Sequence, residues 1–354
     1  MTIEYHTGLG KEVADVYMRK NIPYAVQFEL TSRCNLKCRH CYMDIEKDYC
    51  SELSTEEVIG IIDQLVDIGT FYLGFTGGEI FTRKDLFEIT EYANKKGFFI
   101  TFMTNGTLIK PEFIEEIEKL GPIKFEISLY GATPETHDYI TRVKGSFEST
   151  IAAIEGLVQH GINVTTKTSL MNLNVHESGD IKALCDRLGV FCKLTPGMTP
   201  HRDGSLDPLK YDLSFEDMDT YLSADDFSLT YLTEERDNDP KKRFKCKAGK
   251  AICAISSSGI VFPCAAMPMA VGDLRKKNLK EIWHTDPNDD LKRLRDITSE
   301  DLPKCSRCDL AEFCIRCPGV IYLETGDFTG ASENTCKYAQ WRKHLKDTKD
   351  ITVT

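Results

Sequence analysis

From Tyr24 onward the apolar residues follow two alternating rhythms. Short β-rich runs read as strands, and longer runs with a period near 3.6 read as helices. Tyr24 to Leu30 (YAVQFEL), Phe71 to Phe75, Phe98 to Met103, Ile123 to Leu129, Asn163 to Leu170 and Val190 to Leu194 are predicted strands. After the first strand, Val58, Ile61, Ile62, Leu65 and Val66 recur at helical spacing behind a capping box of Ser54 and Glu57. Further helices are expected from about Lys84 to Lys95, from Pro111 to Gly121, from Phe147 to His160, and through Ile181, Leu184, Cys185 and Leu188 to Gly189. Proline opens one of them and glycines close them, as helix ends favour. Six such units imply an α/β fold with a parallel sheet. The polar and glycine-rich motifs fall mostly where strands end, which is where ligands bind in such folds. Periodicity does not separate an open sheet from a partial barrel.

The chain divides into an N-terminal segment (1–23), the alternating region (24–198), a bridging region (199–240) and a cysteine-rich region (241–354). The first segment is a strand or short helix leading to Pro23, too short for a leader-peptide-binding domain. The bridge is rich in Asp, Ser and Thr, with turn signals at Asp203-Gly204 and Asp207-Pro208 and room for one short helix. The sequence shows no internal repeat and no low-complexity tract.

The 354 residues suit two or three domains. With 41% hydrophobic and 28% charged residues the chain reads as a soluble globular protein. No apolar run reaches the roughly 18 residues that suggest a membrane span. The start, MTIEYH, lacks the basic and apolar parts of a secretion signal, so a cytoplasmic location is expected, with no membrane partner. A formal net charge of −11 argues against nucleic acid as a partner and leaves room for a basic or neutral peptide.

Fourteen cysteines change the picture, because disulfides are rare in a reducing cytosol. Three form a C-x3-C-x2-C loop at Cys34, Cys38 and Cys41, and eight lie between Cys246 and Cys336. Such clustering reads as metal binding. Cys50, Cys185 and Cys192 stand apart and read as structural. Soft thiolates favour iron–sulfur clusters or zinc. A four-iron cluster held by three cysteines keeps one iron open to a small molecule. In the TGGE run from Thr76 to Glu79, two glycines allow close backbone approach, and a carboxylate beside them suits a cationic amine. Asn105 and Ser128 sit at strand ends, placed to bond a ribose hydroxyl or to cap their own turns. His201, Arg202 and Asp203 can face a substrate at the barrel mouth, although a solvated turn is the plainer reading. No general base can be named.

The stretch from Thr31 to Tyr42 (TSRCNLKCRHCY) resembles the cluster loop of radical S-adenosylmethionine (SAM) enzymes. The resemblance implies a partial (β/α)6 TIM-like barrel over roughly residues 24 to 195. It also implies that the open iron chelates SAM and that the reduced cluster cleaves it to a 5′-deoxyadenosyl radical. Carried over residue by residue, it places Tyr42 near the adenine and Thr76, Gly77, Gly78 and Glu79 at the methionyl amine. Ser128 falls to the ribose, Arg142 to the SAM carboxylate, and Leu170 to the adenine pocket or to plain core packing. The later cysteines resemble a SPASM extension, a small cysteine-rich domain with two auxiliary [4Fe-4S] clusters, making three clusters in all. The family pattern gives the nearer one Cys246, Cys253, Cys264 and Cys317, and the farther one Cys305, Cys308, Cys314 and Cys336. Two residues, rather than the usual three, separate Cys314 from Cys317. Cys253 matches an eighth ligand found in some members; without it the nearer cluster has an open iron. Zinc is the alternative occupant of the paired cysteines.

Auxiliary clusters suggest that a substrate radical loses an electron, hence net oxidation, with flavodoxin or ferredoxin as external donor. SPASM enzymes mostly modify ribosomal peptides. The leading expectation is a maturase making a thioether, carbon–carbon or similar crosslink, helped by a separate leader-binding protein or gripping the peptide directly. The alternative is an enzyme acting on a haem precursor or another small molecule. A sulfatase-maturating enzyme would carry an aspartate after Cys264, where this chain has Ala265 and Ala266. A non-catalytic electron carrier would have no use for the triplet and the TGGE turn.

Overall fold

The computed structural model describes residues 11–43, 52–221 and 246–348, so Cys50 and much of the expected bridge lie outside the described residues. Its described part is built on a nine-stranded sheet. Strands β1 (Ala25–Thr31), β2 (Tyr72–Gly77), β3 (Phe99–Thr104), β4 (Ile123–Ser128), β5 (Val164–Leu170) and β6 (Phe191–Pro196) are neighbours in chain order. All five of these pairings are parallel, which makes the partial barrel. The crossovers carry α2 (Thr55–Ile68), α3 (Leu86–Lys95), α4 (Pro111–Leu120), α6 (Ser146–Gln159) and α7 (Ser178–Leu188).

Local signals set the ends of these helices. The Ser54 side chain accepts from Glu57 N while the Glu57 carboxylate accepts from Ser54 N, and Gly69 closes α2 at φ 90°. The buried face of α2 is Val58, Ile61, Ile62, Leu65 and Ile68. Val66, expected on it, is 40% exposed, because the stripe continues three residues after Leu65 rather than one. Before the bridge, two helices were not expected as such. One is α1 (Lys11–Lys20), in the segment left open between strand and helix. The other is α5 (Pro134–Thr141), opened by Thr133, whose hydroxyl accepts from Thr136 N. The bridge holds a 3-10 turn at Asp207–Tyr211 and the short α8 (Phe215–Tyr221).

Alternation sorts the strand side chains. In β4, Phe125 and Ile127 are buried under the helices, while Lys124, Glu126 and Ser128 face the barrel lumen. The cysteine-rich region joins the same sheet. Strand β7 (Ile252–Ile255) pairs in parallel with β1, and β8 (Ile260–Phe262) and β9 (Gly272–Asp273) follow antiparallel. The edge of β1 is thereby covered rather than left with unpaired backbone groups. Buried contacts run without a break from Val26 and Phe28 to Trp283, Leu291 and Phe328. Three helices complete the region: α9 (Asp289–Asp296), α10 (Pro318–Thr325) and α11 (Glu333–Thr348). The last returns to the barrel, where Tyr338, Trp341 and Leu345 pack with Leu170, Val175, Leu213 and Met218. Among the described residues, no helix is long and apolar enough to cross a membrane.

Candidate active site

A cleft opens at the carboxyl ends of β1 to β6, part of it open to solvent. Cys34, Cys38, Cys41 and Tyr42 line it from the loop after β1, and Thr76, Gly77 and Gly78 from the end of β2. Asn105 and Ser128 line it from the next two strands. Strand ends in a parallel sheet converge on one rim, so residues far apart in sequence share one wall.

The glycines hold the cysteine loop against β2. Gly78 N donates to Thr31 O at 2.9 Å and Glu79 N to Arg33 O at 2.7 Å. Glu79 itself is fully buried. Its carboxylate accepts from Thr104 Oγ1 (2.6 Å), Asn105 N (2.7 Å) and Phe81 N (3.1 Å). It therefore braces the floor of the cleft from beneath, where the sequence reading gave it to an incoming amine. Burial raises its pKa, and these three donors oppose the rise. Asn105 is also committed, since its Nδ2 donates to Asn35 Oδ1 at 3.0 Å and its Oδ1 accepts from Thr107 N at 2.9 Å.

The unexpected α5 supports the cysteine loop from the other side. Lys37 N donates to Thr141 O at 3.2 Å and Arg39 N to Ile140 O at 3.0 Å. Arg142 closes that helix in the left-handed region at φ 62°; it is exposed and does not line the cleft. Leu170 is fully buried in the cluster under α11, also away from the cleft wall. Arg142 departs from the placement that the family resemblance implied, whereas Leu170 takes the plain core packing that was its other reading. Arg142 is held at a helix end, and Leu170 alternates to the outer face of β5. His40, by contrast, lines the cleft, with its ring centroid 4.6 Å from that of Tyr130. Burial pushes its pKa down to about 4, so the imidazole is neutral.

The three thiols fit an iron–sulfur group. Burial, then the nearby Glu79 and Cys41, push the Cys34 thiol up to about 11 against the hydrogen bond from Leu36 N. Burial followed by Cys41 and Cys34 raises Cys38 further. Such thiols need a neighbouring positive charge to ionise, and bound metal supplies it. Among the described residues, no three Cys, His, Asp or Glu side chains gather tightly enough for a single metal ion.

The later cysteines form two further groups. Burial first, then Cys246 and Cys317, raise Cys264, while burial with Cys317 pushes Cys246 up to about 11 against a backbone hydrogen bond from Ala248. Cys317 stays in this group despite the shortened spacing. The turn after it lies against the Cys264 loop so closely that a Cβ on Gly319 would meet Ala266 O at 2.4 Å. Burial, then Cys305 and Cys308, raise Cys336 in the second group. The structure sets Cys253 apart. It stands on β7 in register with Val26, 3% exposed within the apolar core, and burial alone perturbs it. The expected outcome for Cys253→Ala is unchanged iron content with a loss of stability of about 1 kcal/mol, from a small cavity. Iron analysis and thermal melting check it, and loss of a whole cluster's iron would restore Cys253 as a ligand. Cys185 and Cys192 lie in the outer layer of the barrel, with Cys185 Sγ 3.1 Å from Thr166 Oγ1.

Of the three bridge residues, Asp203 is in an exposed turn, as the plainer reading expects. Arg202 is not. Its Nη1 donates to Glu29 Oε2 at 2.8 Å and its Nη2 to Glu29 Oε1, and Arg202 N donates to Tyr42 O at 2.9 Å. The guanidinium lies 5.5 Å from the Tyr42 ring centre and 5.9 Å from that of Phe262, two residues before Cys264. One buried pair thus ties β1, the first cysteine loop and the cysteine-rich region together. Arg202→Met leaves the Glu29 carboxylate buried and uncompensated, at an expected cost of about 3–5 kcal/mol. Thermal melting of Arg202→Met and of Glu29→Gln/Arg202→Met checks this. The double variant is expected to recover most of the loss, and no recovery would refute the pairing argument.

Comparisons with known proteins agree with this geometry. Residues 28–188 match the Radical SAM superfamily and residues 246–309 the iron–sulfur cluster-binding domain SPASM. The chain is 30% identical over 350 residues to the AdoMet-dependent heme synthase of Methanosarcina barkeri, covering 91% of this chain and 99% of that one. It is 29% identical over 312 residues to the mycofactocin maturase MftC of Mycobacterium ulcerans, covering 82% of each. Its fold matches Streptococcus suis SuiB bound to the precursor peptide SuiA with a TM-score of 0.70 at 16% identity, over 92% of this chain and 79% of that one. The cysteine loop at the rim of a parallel partial barrel and the cysteine groups beyond it are therefore family features, and the chain belongs to the radical SAM enzymes with a SPASM domain, whose cofactors are SAM and iron–sulfur clusters.

Proposed function

We propose that this enzyme oxidises a carboxylate side chain of a haem precursor. The observation that carries the reading is collinearity: the M. barkeri haem synthase aligns over 99% of its own length. Cys34, Cys38 and Cys41 would hold the SAM-binding cluster, with the Gly77-Gly78 backbone beside it. Bound there, cluster and SAM would supply a 5′-deoxyadenosyl radical as the abstractor of one substrate hydrogen atom. Taking the hydrogen from the carbon β to a carboxylate leaves a substrate radical. Loss of CO2 and of one electron then gives an alkene, which balances the step. The Cys246, Cys264 and Cys317 group and the Cys305, Cys308, Cys314 and Cys336 group would hold the acceptors. Flavodoxin or ferredoxin would supply the initiating electron. The protein's own contribution is a cleft walled by strand ends, with the neutral His40 and Tyr130 on one side.

Peptide oxidation is the second reading. It is supported by similarity to mycofactocin maturase and to the subtilosin biosynthesis protein AlbA of Bacillus subtilis, and it would bring in a leader-binding partner. The test supplies iron coproporphyrin III, SAM and reductant to the anaerobically reconstituted enzyme, with mass spectrometry of all products. The expected result is loss of CO2 and two hydrogens per reacting side chain, alongside 5′-deoxyadenosine. Unconsumed porphyrin, with a host peptide losing hydrogens instead, would overturn the haem reading and establish the peptide one.

A further inference from the structure

The loop that carries the first three cysteines also presents a basic surface. Lys37 and Arg39 flank Cys38 on either side, and from Ser32 to Met43 the chain has no Asp or Glu. The backbone bonds from Lys37 N to Thr141 O and from Arg39 N to Ile140 O set this loop beside the end of α5. Arg142 and Lys144 follow there, again with no acid from Tyr139 to Phe147. Lys37, Arg142 and Lys144 are exposed, and among the described residues none of the three is in an ion pair. Arg33 is left out of this group because it pairs with Glu52 at 3.1 Å. Asp138, the carboxylate within α5, is committed to the next turn. Its oxygens accept from Gly145 N at 2.6 Å, Ser146 Oγ at 2.8 Å and Phe147 N at 2.9 Å. Beside the cations stands Tyr139, 53% exposed. The Arg39 guanidinium lies 4.0 Å from its ring centre while Arg39 Nε donates to Tyr139 O at 2.9 Å. A large exposed ring is thus held in place by an arginine of the cysteine loop. Tyrosine and arginine are the side chains that protein interfaces concentrate, and a fixed pair loses little freedom on binding.

A basic face on a chain of formal net charge −11 selects an acidic partner by charge, and this face lies directly over a cluster ligand. We propose that Lys37, Arg39, Tyr139, Arg142 and Lys144 form the docking surface for a small acidic one-electron carrier protein. Tyr139 on Arg39 is its anchor, and the three exposed cations steer the approach. One electron leaves the reduced carrier and enters the cluster held by Cys34, Cys38 and Cys41; no bond forms or breaks. The surface deepens the proposed function, from which it takes the external donor, and it serves the haem and the peptide readings alike.

The test uses the anaerobic holoenzyme with a flavodoxin as the carrier. Calorimetry follows binding of the oxidised carrier, and stopped-flow absorbance follows cluster reduction by the reduced one. Wild-type affinity is expected to fall about 10-fold or more between about 0.01 M and about 0.15 M salt, as the Debye length shortens from about 30 to about 8 Å. Lys37→Glu/Lys144→Glu is expected to weaken binding and slow reduction by flavodoxin about 10- to 100-fold, and Tyr139→Ala about 10-fold. Reduction by a small molecule, photoreduced deazaflavin, is expected to be unchanged in both, which shows the cluster intact. Wild-type affinity and reduction rate in both variants would overturn the proposal. So would a double variant that loses iron coproporphyrin III binding and keeps flavodoxin, since the face would then serve the substrate. Should the double variant fail to load iron, Tyr139→Ala and the wild-type salt dependence decide, and salt-independent binding overturns the surface. A wild type that forms product with deazaflavin but neither binds flavodoxin nor is reduced by it overturns the surface and leaves the substrate reading standing.

Discussion

Cys38→Ala is expected to bring SAM cleavage to background while the auxiliary iron is retained. Cys38 is the middle thiol of the loop, and its raised pKa comes from burial and then from Cys41 and Cys34. Among the described residues, no neighbour is placed to replace it. His40 is half-buried with its ring against Tyr130, and the side chain of Asn105 is spent on Asn35, Thr107 and Cys34. A cluster with two protein corners is easily lost, and without it nothing reduces SAM. The measurement is 5′-deoxyadenosine formation under anaerobic reduction, paired with iron analysis. Retained cleavage at a tenth of wild type or more would refute the assignment of this loop. Full loss of all iron would point to a folding defect, which Cys38→Ser, closer in shape and polarity, would separate from a ligand effect.

Gly78→Ala is expected to destabilise the protein by about 3 kcal/mol or more and to remove SAM binding. A Cβ there would lie 2.2 Å from Arg33 O, 2.6 Å from Arg33 C and 2.8 Å from Ser32 O. These are backbone atoms of the cysteine loop, so relief requires moving the loop itself. The hydrogen bonds from Gly78 N to Thr31 O and from Glu79 N to Arg33 O would stretch with it. Gly77 is under the same constraint, at φ 135°, where an added Cβ would lie 2.1 Å from Thr31 O. Gly60 is the contrast. It lies within α2 with nothing within 4 Å of an added Cβ, so Gly60→Ala is expected to stabilise by about 0.5–1 kcal/mol. Thermal melting and equilibrium SAM binding check both, and a Gly78→Ala protein that melts and binds like wild type would refute the close-approach argument.

Both results depend on features carried by short stretches of chain. The cysteine spacing, the double glycine, the capping box of α2 and the alternation of six strands each involve residues within one element or loop, where covalent geometry restricts the outcome. This is why the parallel sheet and most of the cleft wall are legible from the sequence. The family resemblance placed Thr76, Gly77, Gly78, Ser128 and Tyr42 together, and the structure brings them to one cleft. The structure leaves Arg142 outside that cleft, where the end of α5 holds it, and gives Leu170 the core packing that was its plainer reading.

The sequence by itself determined the order of the six barrel strands, most of the helices between them and the C-x3-C-x2-C loop, because periodicity and spacing are local quantities, while the division of the later thiols into two groups came from the family resemblance. Tertiary structure alone decided that β7 would complete the edge of β1 and that α5 would hold the cysteine loop. It also turned Arg202, within its turn, inward onto the buried Glu29, and brought Lys167, Lys193 and Glu126 into one lumen. Each depends on contacts between residues far apart in the chain. A lysine in an alternating strand has the same local pattern whether its face meets water or closes into a barrel. Only the curvature of the finished sheet distinguishes a solvated charge from one enclosed in the lumen.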